Sequence, residues 1–90
     1  MHKNLTDKIS STWNGKRLLE QEIFILVITE KISELMEKRG MTKADIAKKL
    51  GVMESTITRV LDGRDTNIKR ISDVFFCLGV SIDLVVDEIK

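Results

Sequence analysis

The 90-residue sequence contains no proline and no tyrosine, and its aromatic residues are limited to Trp13, Phe24, Phe75 and Phe76. Without proline, the residue most disruptive to helices, the composition favours helices joined by short loops. A single cysteine excludes an internal disulfide bond. Because Cys77 lies within an apolar helical pattern, we expect it to be a small core residue in a reducing compartment.

The sequence also lacks a long apolar segment. The longest apolar run, Ile23 to Ile28, is far too short to cross a bilayer, and the opening residues MHKNLTDKISS lack the apolar centre of a signal peptide. We therefore expect a cytoplasmic protein with no membrane partner. The sequence has one histidine, His2, no glycine-rich phosphate loop and no metal-ligand spacing. This inventory predicts a protein that is not an enzyme and that needs no metal or cofactor.

Length and charge further limit the number of domains and the kinds of partner that the sequence allows. Ninety residues suffice for one small domain with a limited core, which dimerisation would help to stabilise. The formal net charge is only +1. However, residues 38–70 contain nine basic and four acidic side chains, a net charge of +5, and the acidic excess lies on either side. This distribution fits either a nucleic-acid surface or an ordinary solvated surface.

The most informative segment is TKADIAKKLGVMESTITRVLD, residues 42–62. Thr42 can cap the start of a short helix that ends at Leu50. Gly51 can adopt a left-handed backbone conformation and turn the chain sharply. A second short helix is then predicted from Met53 or Glu54 to Leu61, and the segment is interpreted as two helices joined by a tight turn.

The spacing of apolar residues predicts how these two helices pack. Aliphatic side chains occupy one face of each helix, and they are Ile46, Leu50, Ile57, Val60 and Leu61. Ala47 is small enough for a close helix crossing, and Val52 can fold inward at the turn. The outward face of the second helix is then polar, and it carries Glu54, Ser55, Thr58 and Arg59.

This segment closely resembles the helix-turn-helix of the lambda-repressor-like, or Cro-repressor/Xre, transcriptional regulators. The residues that match the motif core of that family are Ile46, Ala47, Leu50, Gly51, Val52, Ile57 and Val60. The resemblance extends from about Leu19 onward and implies an all-α fold. The expected division is an N-terminal extension over residues 1–18, a helix-turn-helix domain over residues 19–80, and a C-terminal strand or tail over residues 81–90 used in dimerisation.

The resemblance implies a sequence-specific regulator that binds operator DNA as a homodimer, with residues 54–61 in the major groove. The residues expected to read bases are Glu54, Ser55, Thr58 and Arg59, with Glu54 alternatively a partner for the helix dipole. The residues expected to contact phosphates are Thr42, Lys43, Arg64 and Lys69. The sequence departs from the family at Met53, where a capping hydroxyl is common, and at Lys43, where glutamine is frequent.

The flanking segments allow more than one interpretation. A long helix is predicted from Leu19 to Arg39, although the run IFILVI could instead be a strand. Phe24 and Val27 make this run apolar on nearly all sides. We therefore expect a second chain or the C-terminal tail to pack against it. In residues 1–18, the spacing of Leu5, Ile9, Trp13 and Leu18 predicts a weak amphipathic helix that breaks at Asn14–Gly15. Disorder up to about Gly15 is the alternative.

After the motif, a helix is predicted over Ile68–Leu78, capped by Thr66 or Asn67, with a core face of Ile68, Ile71, Val74, Phe75 and Leu78. Residues 80–86 alternate in polarity as a strand does. Ile82, Leu84 and Val86 would share one side, and the same strand of a second copy would be the partner. A final helical turn is the alternative.

A protein-binding module is the competing function. Antitoxins of this class combine a helix-turn-helix with contacts to a toxin protein, and the N-terminal extension with Trp13 could be the contacting arm. Such a role is compatible with DNA binding.

Overall fold

The computed structural model describes residues 12–88, over which the chain forms four α-helices and no strand. These helices are α1 (Trp13–Arg39), α2 (Lys43–Leu50), α3 (Glu54–Leu61) and α4 (Ile68–Cys77). The predicted all-α class is therefore confirmed. Among the described residues, no helix combines the length and apolarity that crossing a membrane requires.

Helix α1 begins earlier than predicted. The Thr12 hydroxyl caps its first turn by accepting a hydrogen bond from the Gly15 backbone N–H at 2.9 Å. Asn14 and Gly15 therefore lie inside the helix, and the predicted break is wrong. The cap offsets the low helix propensity of glycine, and each later residue adds a backbone hydrogen bond. The strand alternative for residues 23–28 is also wrong, because this run lies in the middle of a 27-residue helix.

The core forms where α2, α3 and α4 meet the C-terminal half of α1. Its buried apolar side chains are Ile32, Ile46, Ala47, Ile57, Val60, Ile71, Val74, Phe75 and Leu78. Helix α1 supplies Ile32 to this core, and Ile28, Leu35 and Met36 pack beside it. Within residues 13–27 of α1, no apolar side chain is buried. The N-terminal half of α1 thus adds length to the molecule and little to its core.

Helix α4 confirms most of its predicted core face and corrects one position. Ile71, Val74 and Phe75 are buried, and so is Leu78 just after the helix. Ile68, in contrast, is 78 % exposed, so its assignment to the core is wrong. Ile68 has the correct helical spacing, but it is the first residue of α4 and lies one turn beyond the end of the core.

The C-terminal segment also differs from the prediction. Residues 80–88 form neither a strand nor a helical turn, and residues 81–88 are all exposed. Within residues 12–88, no backbone hydrogen bond joins residues 81–88 to another segment. The strand prediction is therefore corrected for the single chain, because alternating polarity cannot replace a partner strand. The predictions for His2, Leu5 and Ile9 lie outside the described residues.

Candidate nucleic-acid interface

The interface begins at the N-terminus of α2, where Thr42 and Asp45 form a capping box. The Thr42 hydroxyl accepts a hydrogen bond from the Asp45 N–H at 3.1 Å, and the Asp45 carboxylate accepts one from the Thr42 N–H at 2.9 Å. The Thr42 backbone hydrogen bond, followed by the Thr42 side chain, lowers the pKa of Asp45. The hydroxyl proton of Thr42 can still be donated outward. This cap fixes the direction in which α2 starts.

The turn between α2 and α3 is formed by Gly51, whose φ is +68°. The Val52 N–H donates to the Ala47 carbonyl at 3.0 Å and so closes the end of α2. A Cβ at Gly51 would meet nothing within 4 Å, so glycine is required by the backbone conformation and not by space. Gly51 itself is exposed, so this member of the predicted motif core is not a buried residue.

The inner faces of α2 and α3 pack as the sequence predicts. Ile46 and Ile57 are 0 % exposed, and Ala47 and Val60 are buried beside them. The half-buried side chains around this contact are Leu50, Val52 and Leu61. Since the buried side of α3 is fixed in this way, its opposite side must face solvent.

The outward face of α3 carries the four predicted base-reading residues. Glu54, Ser55 and Arg59 are exposed, and Thr58 is half-buried. The ion pairs among residues 12–88 involve other side chains, so the Arg59 guanidinium is unpaired there. An unpaired arginine on a helix with a fixed inner face is available for bidentate hydrogen bonding.

The start of α3 has no side-chain cap, as Met53 at this position leads us to expect. No hydrogen bond within residues 12–88 engages the backbone N–H of Glu54 or of Ser55. Met53 is itself 74 % exposed and directly precedes the first residue of α3. Sequence reasoning identifies Met53 only as a missing cap, and the exposed apolar side chain at the N-cap is the feature that it misses.

The four predicted phosphate-contacting residues lie before and after α3 in the chain, in different local environments. Thr42, Arg64 and Lys69 are exposed, and Lys43 is half-buried. Arg64 already donates to Asp62 at 2.9 Å, and this pair is solvent-exposed. An exposed pair of this kind is worth at most about 1 kcal/mol, so a phosphate could displace the carboxylate.

The N-terminus of α4 is less open to anions than the sequence suggested. The Asn67 side-chain oxygen accepts hydrogen bonds from the Lys69 N–H at 2.9 Å and the Arg70 N–H at 3.3 Å. Two of the backbone donors at this helix start are therefore occupied. Any phosphate contact at Lys69 would rest on its ammonium group.

The remaining predicted functional positions lie on other elements of the fold. Phe24, Val27, Ile82, Leu84 and Val86, the predicted dimerisation residues, are all exposed. The described C-terminal residues thus leave Phe24 and Val27 uncovered. Cys77 is half-buried and packs against the core, and burial raises the pKa of its thiol. No cluster of residues suited to a metal ion occurs within residues 12–88.

Comparison with models of known protein families gives a match to part of the chain. The family model described as a Cro/C1-type HTH DNA-binding domain matches residues 31–83. No curated protein and no solved structure matches the chain. The matched residues include α2, α3, α4 and the last part of α1, and they leave the N-terminal part of α1 outside.

Proposed function

The chain belongs to the Cro/C1-type HTH DNA-binding domain family, and from this premise we propose that it regulates transcription by binding a specific operator as a homodimer. The observation that carries the proposal is the outward face of α3. Its polar residues are exposed or half-buried, and Arg59 has no ion pair within residues 12–88. A helix with this arrangement can enter the major groove, where base edges differ in their donors and acceptors.

Arg59 is the principal base-reading residue in this proposal. Its guanidinium can donate two hydrogen bonds to O6 and N7 of guanine, which is the commonest specific contact to DNA. Ser55 and Thr58 would hydrogen-bond to neighbouring bases or contact a thymine methyl group. Glu54 would accept from the amino group of cytosine, or else remain a partner of the α3 dipole.

The phosphate contacts would position the helix without specifying sequence. Thr42 and Lys43 lie at the start of α2, and Arg64 and Lys69 follow α3, so the two pairs flank the reading helix in the sequence. The net charge of +5 over residues 38–70 supports this placement through long-range attraction to DNA.

A single copy presents one reading helix, which is the reason for proposing a homodimer. Two α3 helices would read half-sites about one helical turn, or roughly 34 Å, apart. The exposed apolar residues on α1 and in the C-terminal segment are the surfaces available for this association. No cofactor is required by the proposal.

The test begins with selection of bound duplexes from a random DNA pool, followed by affinity titration of variants. Arg59→Ala should weaken binding to the selected operator by about 1–3 kcal/mol and change nonspecific binding little. Arg59→Lys is the matched control for charge, because lysine keeps the charge and loses the two-pronged hydrogen bond. It should therefore lose most of the specificity as well.

Lys43→Ala tests the positioning role. It should weaken binding to the operator and to unrelated DNA alike. It should also reduce the slope of log affinity against log salt concentration by about one, the value for one lost phosphate contact. Lys31→Ala is its control, because Lys31 lies on α1 in an ion pair with Glu34 at 3.4 Å. Unchanged operator affinity in Arg59→Ala would overturn the assigned reading face.

A partner-protein module, as in the antitoxins of this class, is a second candidate function. Trp13, the one tryptophan of the chain, is 76 % exposed at the start of α1 and stacks on Arg17 at 5.7 Å. If this role holds, Trp13 fluorescence should shift when a cognate toxin is added. A regulator without such a partner would show no such shift.

A further inference from the structure

The N-terminal half of α1 carries an apolar stripe that the core does not use. Leu19, Ile23 and Leu26 are spaced by four and three residues, so they lie along one side of the helix. This side is roughly opposite to the side of Ile28 and Ile32, which pack in the core. The three stripe residues are 52 %, 44 % and 54 % exposed.

The stripe is part of a larger exposed apolar area. Phe24 and Val27, at 59 % and 58 % exposure, extend it along one edge. Half-exposed side chains of this size leave on the order of 100 Å² each, so the five together approach the roughly 500 Å² that marks interaction sites on monomers. A standard interface needs about 800 Å² per partner, which neighbouring side chains on a paired helix would complete.

We propose that a second copy of the chain covers this stripe, with the two α1 helices packed antiparallel about a two-fold axis near Ile23. This inference rests on the proposed function and specifies how its homodimer forms. The family match does not include this part of α1, since it starts at residue 31. The association is therefore an addition that this chain makes to the DNA-binding unit.

Charge complementarity determines the antiparallel direction. Lys16 lies seven residues before Ile23 and Glu30 lies seven residues after it, so both are two turns away on the same side of the helix. Neither has an ion pair within residues 12–88. The two-fold axis brings each Lys16 beside the partner's Glu30. A parallel pair would instead place Lys16 against lysine and Glu30 against glutamate, with repulsion at both ends.

The same pairing sets the distance between the two DNA-binding units. Ile32, where α1 enters the core, lies nine residues from Ile23. At 1.5 Å per residue, the two copies of Ile32 would be about 27 Å apart along the helix pair. This separation is on the scale of one turn of DNA, roughly 34 Å, so an α1 pair can present both units to adjacent half-sites.

Sedimentation equilibrium of the full chain tests the proposal. Wild type should be dimeric, and Ile23→Lys, which places two like charges on the axis, should be monomeric with unchanged helix content by circular dichroism. Phe76→Lys is the matched control, because Phe76 is an apolar residue on α4 at 80 % exposure. It should remain dimeric. Leu84→Lys should also remain dimeric. If Leu84→Lys were monomeric and Ile23→Lys dimeric, the interface would lie in the C-terminal segment, and the proposal would be overturned.

Charge exchange tests the direction of pairing. Lys16→Glu and Glu30→Lys should each weaken the dimer by roughly tenfold at low salt, and the double variant should restore it. In a parallel pair, neither single exchange would weaken association, because each would only replace one like-charged pair with another. That result would refute the antiparallel arrangement.

The outcome is separable from the proposed function. Ile23→Lys keeps the whole of α3, so it should retain nonspecific DNA binding and lose tight operator binding. A monomeric wild type would overturn the α1 pairing, whichever other segment or protein covers the stripe. It would not overturn DNA binding by a single α3 helix. A dimer without DNA binding would overturn the proposed function alone.

Discussion

Gly63→Ala should destabilise the protein through a contact between α1 and the loop that follows α3. A Cβ at Gly63 would lie 2.8 Å from the Cγ2 methyl of Ile25, and the φ of Gly63 is +74°. The left-handed conformation alone costs alanine about 1–2 kcal/mol. Ile25 cannot easily turn away, because a β-branched side chain in a helix is stiff at χ1, so overpacking adds about 1–3 kcal/mol.

The control is Gly40→Ala. Gly40 has a similar φ of +64°, and a Cβ there would meet nothing within 4 Å. It should therefore lose only the conformational part, about 1–2 kcal/mol. Urea unfolding followed by circular dichroism gives both free energies, measured at one protein concentration because dimerisation adds stability. Equal losses in the two variants would refute the close approach of Gly63 to Ile25.

Three further predictions concern the helix caps and the thiol. Because the pKa of Asp45 is lowered in the folded state, its ionised carboxylate stabilises the fold at pH values above the ordinary pKa of 3.8. This stabilisation is lost as the pH falls through the lowered pKa. The stability difference between wild type and Asp45→Asn should therefore shrink in acid unfolding below about pH 4, and a difference that persists there would contradict the capping role. Met53→Ser should give α3 a side-chain cap and raise the free energy of urea unfolding by about 1 kcal/mol, and an unchanged value would contradict this prediction. Burial raises the pKa of Cys77, so its alkylation at neutral pH should be slower than that of a free thiol and equal to it only after unfolding.

The sequence predicted the central packing well, because a single periodicity determines it. Ile46 and Ile57 fall on the faces that are buried, and Gly51 adopts the left-handed conformation that the turn requires. The all-α class is what the family resemblance implies, and the helical spacing agrees with it. The outward position of Ser55 and Arg59 follows as well, since the inner face is fixed.

The sequence predictions that are wrong concern positions where a residue pattern does not contain all the interactions that determine the structure. Helical spacing gives the face of Ile68 but not the point along α4 where the core ends. The Asn14–Gly15 pair signals a break only when no cap precedes it, and Thr12 supplies one. The alternation of residues 80–86 fixes two faces, whereas a strand also needs a partner backbone that one chain does not offer.

The central claim is that the outward face of α3 meets DNA, and amide chemical-shift mapping tests it most directly. The full chain would be titrated with a duplex selected from the random pool and, for comparison, with an unrelated duplex. We predict that the largest shifts specific to the selected duplex lie at Ser55, Thr58 and Arg59, with little change over residues 19–27 of α1. Specific shifts confined to α1 or to the C-terminal segment, with α3 unperturbed, would contradict the account.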